Sequence, residues 1–407
     1  MAQNLPQLPP WEQVSTNVIR ILGGNPGKFT LQGTNTYLLG RGPRRLLVDT
    51  GQGEQVWADT LRSVLQQQSP PATVAACLLT HWHHDHIGGV KDLDALSAET
   101  RSSSPGERVP VYKNQPTLDP DGLLDTDRLL EIVDGQRFRV SSAPSTSGGA
   151  GGDQNVTEGE ETFEIEAIHT PGHAKDHISF LVTQSSDPDE VGAIFTADNV
   201  LGHGTAVFED LSAYLDSLAL MKRRVAESIV AQDGGSGASE GASNNKIKIN
   251  VNNNIKKRRA FPGHGAVIDD AVAKIDEYIT HRRLREEEAL NVLRFGTTTR
   301  PDATGGELVH DSITTYEDDG DGGEGEAASE TRHASAAGAG LGLGKEITSG
   351  KEWSSIELVK VIYRHYPESL YQPAEYGLLR VLEKLRLDGK VVKTPEGKWR
   401  ISEKATL

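Results

Sequence analysis

Four histidines and an aspartate crowd into the six residues after Thr80, in the run HWHHDH. Burying so many polar groups without partners is costly, and imidazole nitrogens and carboxylate oxygens are the ligands that zinc and related divalent metals prefer. On an extended backbone His81 and His83 project to the same side, whereas Asp85 and His86 come after a bend. One loop could therefore supply ligands to two neighbouring metal ions. The alternative is a cluster of histidines on the surface.

Four further His and Asp residues stand where predicted strands end. Asp49 closes the run RLLVD, and Asp198 closes AIFTAD. His173 follows FEIEAIH in the turn TPGH, and His264 lies in FPGHG. Each alone is typical of an ordinary turn, because Asp, Gly and Pro are common turn residues. Taken with the histidine run, they predict a convergent set of ligands on loop tips.

The segments that must position these residues alternate between strand-like and helix-like patterns. Short apolar runs bounded by Gly, Pro and Asn predict strands, and apolar residues at helical spacing predict helices. The predicted strands cover residues 17–22, 36–39, 45–49, 74–80, 163–169, 178–183 and 192–198, and the predicted helices cover 54–68, 211–227 and 267–291. Strands that lead into helices twice over indicate an α/β layered core.

The last fifty residues restart the pattern. Amphipathic helices are predicted over 354–366 and 372–388, followed over 390–401 by a strand, a turn and a second strand. Helix, helix and β-ribbon are the outline of a winged-helix unit. The alternative is a plain helical cap on the main domain.

Three polar stretches divide the chain. Residues 141–162 and 232–259 are Ser/Gly-rich or Asn/Lys-rich and predict low-complexity inserts, and residues 302–350 predict a disordered, acidic and Gly-rich linker, because none can bury an apolar face. The predicted organisation is therefore a catalytic domain over 1–301, the linker, and a winged-helix-like domain over 351–407.

Composition excludes several classes of protein. No apolar run approaches the twenty residues of a membrane-spanning helix, and the first residues do not read as a targeting peptide. The single cysteine, Cys77, cannot form an internal disulfide or a thiolate zinc site, so a cytoplasmic protein without membrane contact is predicted. A net charge of −16 and 5% aromatic residues argue against a large nucleic-acid footprint.

The run THWHHDH resembles the His-x-His-x-Asp-His signature of the metallo-β-lactamase superfamily, and the other motif positions are filled in order. The resemblance implies an αββα sandwich with two zinc ions at one edge. It assigns the first zinc to His81, His83 and His173. It assigns the second zinc to Asp85, His86 and His264, with Asp198 bridging both ions. Asp49 would orient ligands through hydrogen bonds.

The runs LGGNPGKFTLQGTNTYLLG, PGHGAVI and HRRLREEE look like one branch of that superfamily. This branch contains fungal lactamase-like thioesterases, which release polyketides from acyl carrier proteins, and animal β-lactamase-like endoribonucleases. The resemblance implies a hydroxide bridging two metals as nucleophile, with Asp85 as the catalytic residue that orients it and takes its proton. We predict a thioesterase acting on an acyl carrier protein or polyketide synthase; the alternative substrate is single-stranded RNA. A vestigial site is a poor explanation, because no ligand is missing.

Two more histidines are candidates for contact with substrate. His177, in the run GHAKDH, and His203, in LGHGT, both lie close in sequence to predicted ligands. A structural role in a turn is the alternative for each.

Overall fold

The computed structural model describes residues 5–100, 108–142, 161–233, 257–300 and 351–403. The predicted linker and most of both predicted inserts lie outside these residues. No helix within the described ranges is both long and apolar enough to span a bilayer.

The chain divides into two compact units, one of residues Pro6–His281 and one of Arg282–Leu407 with Met1–Leu5. The division falls within a long helix, before the predicted border at residue 301. The predicted border was placed where the composition becomes polar. Composition does not show which turns of a helix pack in which unit. The predicted domain borders therefore stay a prediction.

Seven strands form the first sheet, in the order β1 to β7. They are β1 (Trp11–Ser15), β2 (Val18–Leu22), β3 (Asn35–Leu39), β4 (Arg44–Val48), β5 (Thr73–Leu79), β6 (Val111–Lys113) and β7 (Leu130–Glu131). Neighbours from β1 to β4 are antiparallel, and those from β4 to β7 are parallel. Strand β5 is buried from Val74 onward, which explains its continuous apolar run, because a central parallel strand is covered on both faces.

Five strands form the second sheet, in the order β12-β11-β10-β9-β8. They are β8 (Arg137–Ser141), β9 (Thr162–His169), β10 (Ile178–Gln184), β11 (Ile194–Ala197) and β12 (Ala260–Pro262). Only β11 and β12 are parallel neighbours. Ser141 pairs with Thr162 across β8 and β9, so both ends of the first predicted insert belong to the sheet. The sequence pattern did not indicate this pairing, because these residues are polar and backbone pairing needs no apolar side chain.

The main core lies between the two sheets. Tyr37 and Leu78 of the first sheet are buried against Ile165, Phe180 and Phe261 of the second. The aromatic rings of Tyr37 and Phe261 meet edge to face, with centroids 5.7 Å apart. Burying both inner faces is what drives the sheets together.

Helices cover the outer face of each sheet. On the first, α1 (Gln55–Gln67) and α3 (Val90–Thr100) bury an apolar cluster around Trp57, with the short helix α2 (His84–Ile87) before α3. On the second, α4 (Leu211–Asp233) packs against β10. The next helix is α5 (Ala271–Phe295). Its residue Tyr278 lies in the first unit and contacts the loop after β11, because the Tyr278 hydroxyl accepts from the Leu201 amide at 3.0 Å. The architecture is helix–sheet–sheet–helix.

The C-terminal unit has the predicted order of helix, helix and hairpin. It contains α6 (Ser355–Ile362), α7 (Tyr371–Leu387), β13 (Val391–Lys393) and β14 (Trp399–Ile401). Helix α6 begins with a capping box between Ser354 and Glu357, which satisfies free backbone donors at its start. Trp353 and Trp399 exchange backbone hydrogen bonds, so the chain entering α6 is joined to β14.

Candidate metal centre

Every predicted metal ligand follows the end of a strand, and the fold brings all of them together. They form two groups, in each of which one ligand atom per residue lies within 4.8 Å of the others. The first group is His81, His83, His173 and Asp198, and the second is Asp85, His86 and His264. The parallel pairs β4–β5 and β11–β12 explain much of this convergence, because parallel neighbours end at the same edge of a sheet.

The hydrogen-bond partners of the first group fix which ring nitrogens carry hydrogen. The Thr80 hydroxyl donates to Asp49 Oδ2 at 2.9 Å, so toward His81 Nδ1, also at 2.9 Å, it can only accept. His173 Nδ1 lies 2.9 Å from the backbone carbonyl of Val207, which also only accepts. Both rings therefore carry hydrogen on Nδ1 and present a bare Nε2.

These bare nitrogens meet at one point. His83 Nδ1 lies 3.0 Å from His81 Nε2 and 2.9 Å from His173 Nε2, and the two Nε2 atoms are 3.3 Å apart. Zn–N bonds of about 2.0–2.1 Å in a tetrahedral arrangement place two ligand nitrogens roughly 3.3–3.4 Å apart. Three ring nitrogens that converge at 2.9–3.3 Å, slightly closer than that spacing, fit a shared divalent cation.

The second group combines imidazole and carboxylate. His264 Nε2 lies 3.3 Å from Asp85 Oδ2 and 3.3 Å from Asp198 Oδ2, and His86 Nε2 lies 3.5 and 3.4 Å from the same two carboxylates. Asp198 Oδ2 is also 3.6 Å from His173 Nε2. Asp198 therefore stands between the two groups, as a shared ligand must.

Asp49 forms hydrogen bonds to His86 and to the segment that leads into His81. Its carboxylate accepts from His86 Nδ1 at 2.8 Å and from the Thr80 backbone N–H at 2.8 Å. The Nδ1 bond turns His86 Nε2 toward the site, where that atom has no hydrogen-bond partner among the described residues. A buried nitrogen of this kind calls for a partner such as a metal ion.

The two groups differ electrostatically. Burial, together with the neighbouring histidines, lowers the pKa of His81 well below its usual range and lowers the pKa of His83 to about 4. Burial also lowers the pKa of His86 and His264, but the surrounding carboxylates outweigh it. The pKa of His86 is therefore held well above its usual range, and that of His264 is raised to about 9. Without metal, His81 and His83 are therefore neutral, whereas His86 and His264 hold protons among carboxylates.

Zn²⁺ binding at the second group is therefore expected to depend more steeply on pH than binding at the first. His86 and His264 must lose protons to bind a metal, whereas the low pKa values of His81 and His83 keep both rings neutral at about pH 6. Between about pH 8 and pH 6 the second affinity should fall about tenfold per pH unit for each displaced proton. Competition with a chelating indicator at several pH values would measure both affinities; equal pH slopes would contradict the assignment.

Asn35, a residue of the run GTNT, holds the loop that carries His264. The Asn35 side-chain amide donates to the carbonyls of Pro262 and Gly265 at 2.9 and 2.8 Å, and its backbone N–H donates to the Gly263 carbonyl at 2.7 Å. Asn35 thus brackets His264 from both sides. The only signal in the sequence was the polar run GTNT at the start of an otherwise apolar strand.

His177 is fully buried beside the first group, with its ring centroid 5.3 Å from that of His81. Its Nδ1 accepts from the Asn199 amide at 3.2 Å, so this ring carries hydrogen on Nε2, the opposite arrangement to His81. Burial lowers its pKa well below the usual range. This geometry favours support of the neighbouring ligands, and contact with substrate stays a prediction. Next to it, Asp176 forms a fully buried ion pair with Lys113 at 2.6 Å.

His203 lies in the loop after Asp198 and is exposed. Its backbone packs close to Gly265, beside the loop of His264. The His203 side chain is therefore not part of the core, and it lies five residues after Asp198 in the sequence. Its contact with substrate also stays a prediction.

Comparison with known families agrees with this geometry. The model of the metallo-beta-lactamase superfamily matches residues 29–230, and that of the beta-lactamase associated winged helix domain matches residues 354–399. The chain belongs to the metallo-beta-lactamase superfamily. Both the predicted superfamily and the predicted winged-helix unit are confirmed, and a plain helical cap is excluded.

Three similar curated proteins come from fungi. Lactamase-like protein adaB of Aspergillus niger is 38% identical over 303 residues, which are 74% of this chain and 72% of that protein. The atrochrysone carboxyl ACP thioesterase of Aspergillus chevalieri is 37% identical over 71% of this chain and 70% of its own length. That of Passalora fulva is 36% identical over 76% and 71%. Family and relatives together identify the chain as a hydrolase.

Among solved structures, a metallo-beta-lactamase family protein from Thermus thermophilus has a TM-score of 0.52 and 16% identity, with 95% of this chain and 99% of that chain covered. A beta-lactamase domain protein from Burkholderia ambifaria also has a TM-score of 0.52, at 14% identity, with 96% and 95% covered. These likenesses confirm the predicted α/β fold.

Proposed function

We propose that this protein is a zinc-dependent thioesterase that releases an acyl chain, such as a polyketide, from an acyl carrier protein. The observation that carries the proposal is the likeness to two fungal proteins named as ACP thioesterases, at 36–37% identity over 71–76% of this chain. The geometry supports it, since the predicted ligands form two groups in each of which one ligand atom per residue lies within 4.8 Å of the others.

The ligands have distinct tasks in this proposal. The first zinc would be held by His81, His83 and His173, and the second by Asp85, His86 and His264. Asp198 would be shared. Bound zinc ions supply a water nucleophile at neutral pH and a Lewis acid for the carbonyl oxygen.

In this proposal Asp85 accepts the proton of the attacking water. Its side chain is 15% exposed, against 11% for Asp198, so it is the more accessible of the two carboxylates. Burial raises its pKa, but the charge of His86 and a hydrogen bond with His264 outweigh this and hold the pKa below its usual range. An ionised Asp85 can orient the attacking water and accept its proton.

The thioester is favoured over RNA as substrate because of the charges nearby. A phosphodiester needs basic side chains to balance its charge in the transition state. Lys113 is not available for this, because it is buried in the ion pair with Asp176. Lys91, Lys175 and Arg259 are the exposed basic residues within five positions of a predicted ligand.

One preparation of the full chain, assayed on both substrates, tests the proposal. We expect hydrolysis of an acyl-pantetheine thioester, measured as released thiol, and little cleavage of a single-stranded RNA oligonucleotide. The only cysteine, Cys77, is buried, so it should add little background to a thiol reagent.

Asp85→Ala is the control for contaminating enzymes, and it should abolish thioester hydrolysis. Efficient RNA cleavage that Asp85→Ala removes, together with no thioester turnover, would reverse the choice of substrate. Turnover that survives both Asp85→Ala and chelation would show that the metal centre is not responsible.

A further inference from the structure

Thr34 lies directly before β3 and reaches the metal centre from outside the ligand set. Its side chain is fully buried, and its Oγ1 lies 3.3 Å from Asp85 Oδ2. Its backbone is held on two sides, because it forms a β-bridge with His264 and its carbonyl accepts from the Gly23 amide at 2.7 Å. Thr34 therefore has little freedom to turn away from Asp85.

Asn25 determines the direction of the Thr34 hydroxyl. The backbone N–H of Thr34 donates to Asn25 Oδ1 at 2.9 Å, and this fixes which end of the amide is oxygen. The amide nitrogen of Asn25 then donates to Thr34 Oγ1 at 3.0 Å and to Gln52 Oε1 at 3.2 Å. Both amide hydrogens are used, and Thr34 Oγ1 is an acceptor in this pair.

The single hydroxyl hydrogen of Thr34 is thereby left for Asp85 Oδ2. That oxygen is also the one 3.3 Å from His264 Nε2 and 3.5 Å from His86 Nε2, so it faces the second ligand group. Oδ1 of the same carboxylate has no hydrogen bond to the residues that the structure describes. The two oxygens of Asp85 are thus made different by a neighbour that is itself held rigidly.

We propose that Thr34, oriented by Asn25, is a positioning residue for Asp85. It holds Oδ2 toward the second metal position and leaves Oδ1 to accept the proton of the attacking water. The proposal rests on the role of Asp85 as a ligand and base. It predicts that the Thr34 hydroxyl is needed for tight binding of the second ion, whatever the substrate.

The test compares Thr34→Val, which replaces the hydroxyl by a methyl group of similar size, with Thr34→Ser, which keeps the hydroxyl. Each full-length, metal-free protein is titrated with Co²⁺, and visible absorption reports both affinity and coordination. We expect Thr34→Val to bind the second equivalent about 10- to 100-fold more weakly, with an altered spectrum, and the first equivalent as the wild type does. Thr34→Ser should restore both properties.

Thr36→Val is the matched control. Thr36 is also fully buried, and it lies two residues further along the same chain segment, but its hydroxyl donates to the Ile21 carbonyl and accepts from Trp57. Neither of these partners is a ligand. Its loss should lower the melting temperature and leave both Co²⁺ affinities unchanged.

Asn25→Asp gives a second test that does not alter Thr34. A carboxylate at this position cannot donate to Thr34 Oγ1 and competes with Asp85 for the hydroxyl hydrogen, so the second Co²⁺ affinity should fall in the same way. This variant decides the question if Thr34→Val does not fold.

Failure of this inference can be told apart from failure of the proposed function. If Thr34→Val and Asn25→Asp bind both equivalents as the wild type does, while Asp85→Ala loses the second, Thr34 does not position Asp85. If Asp85→Ala also binds two equivalents with unchanged spectra, Asp85 is not a ligand, and both proposals are overturned. Loss of thioester turnover alone would not count as support.

Discussion

Replacing Asp198 by alanine is expected to leave a folded protein that no longer binds the second metal ion and that hydrolyses thioesters more than about 100-fold more slowly. Loss of a side chain that merely supports a ligand typically costs about 10- to 100-fold, and Asp198 contacts His86, His264 and His173 directly. Elemental analysis and steady-state kinetics on the same preparation measure both effects.

The fold should survive, because the sandwich core lies between the sheets and does not depend on this carboxylate. Circular dichroism and the melting temperature of the metal-free protein check this. Asp269→Ala is the control, since that side chain is 90% exposed and should change neither metal content nor activity. Two equivalents of zinc and wild-type turnover in Asp198→Ala would show that this residue does not join the two groups.

A single methyl group at Gly263 is expected to disrupt the centre almost as severely. A Cβ there would lie 2.2 Å from Asp198 Oδ1 and 3.0 Å from His86 Cε1, far inside van der Waals contact. The loop cannot retreat easily, since the Gly263 amide donates to the Ala197 carbonyl at 2.8 Å and its carbonyl accepts from Asn35 at 2.7 Å. Gly263→Ala should therefore displace the Asp198 carboxylate and weaken the second metal affinity at least about tenfold.

Gly377→Ala is the matched control for this substitution. Gly377 lies in α7, and a Cβ there would meet no atom within 4 Å. Alanine should stabilise that helix by about 0.5–1 kcal/mol and leave metal binding unchanged. Chelator competition and urea unfolding separate the two outcomes. An unchanged affinity of Gly263→Ala for the second metal ion would mean that the loop can shift to accommodate the methyl group despite its hydrogen bonds.

The predicted ligands could be picked out of the sequence because their chemistry is concentrated. Four ligands lie within six residues, and the remaining three stand at strand ends marked by Gly or by a change from apolar to polar residues. Most strands and helices were predicted for the same reason, since continuous apolar runs and helical spacing are local patterns. The predicted helix over 54–68 matches α1 closely.

The sequence did not reveal the groups that orient the predicted ligands, because these contacts do not require a particular residue type. The group that orients His173 is a backbone carbonyl, that of Val207, and any residue could supply it. Thr34 and Asp85 are far apart in the chain, and polar residues such as Asn25 are common in turns. Short edge elements such as β7, with only two residues, carry too little pattern to be recognised.

The order of the ligands along the chain has a consequence for biosynthesis. His81, His83, Asp85 and His86 leave the ribosome first, and His264 follows only after the stretch at 234–256 that the structure does not describe. At about 5–20 residues per second, the early four wait on the order of ten to forty seconds for the last. In the proposed site, these four ligands alone would follow the general ranking of divalent metals, in which copper exceeds zinc. Discrimination by coordination geometry is therefore expected only once β12 has docked and His264 has joined them, so the completed sandwich would select the metal.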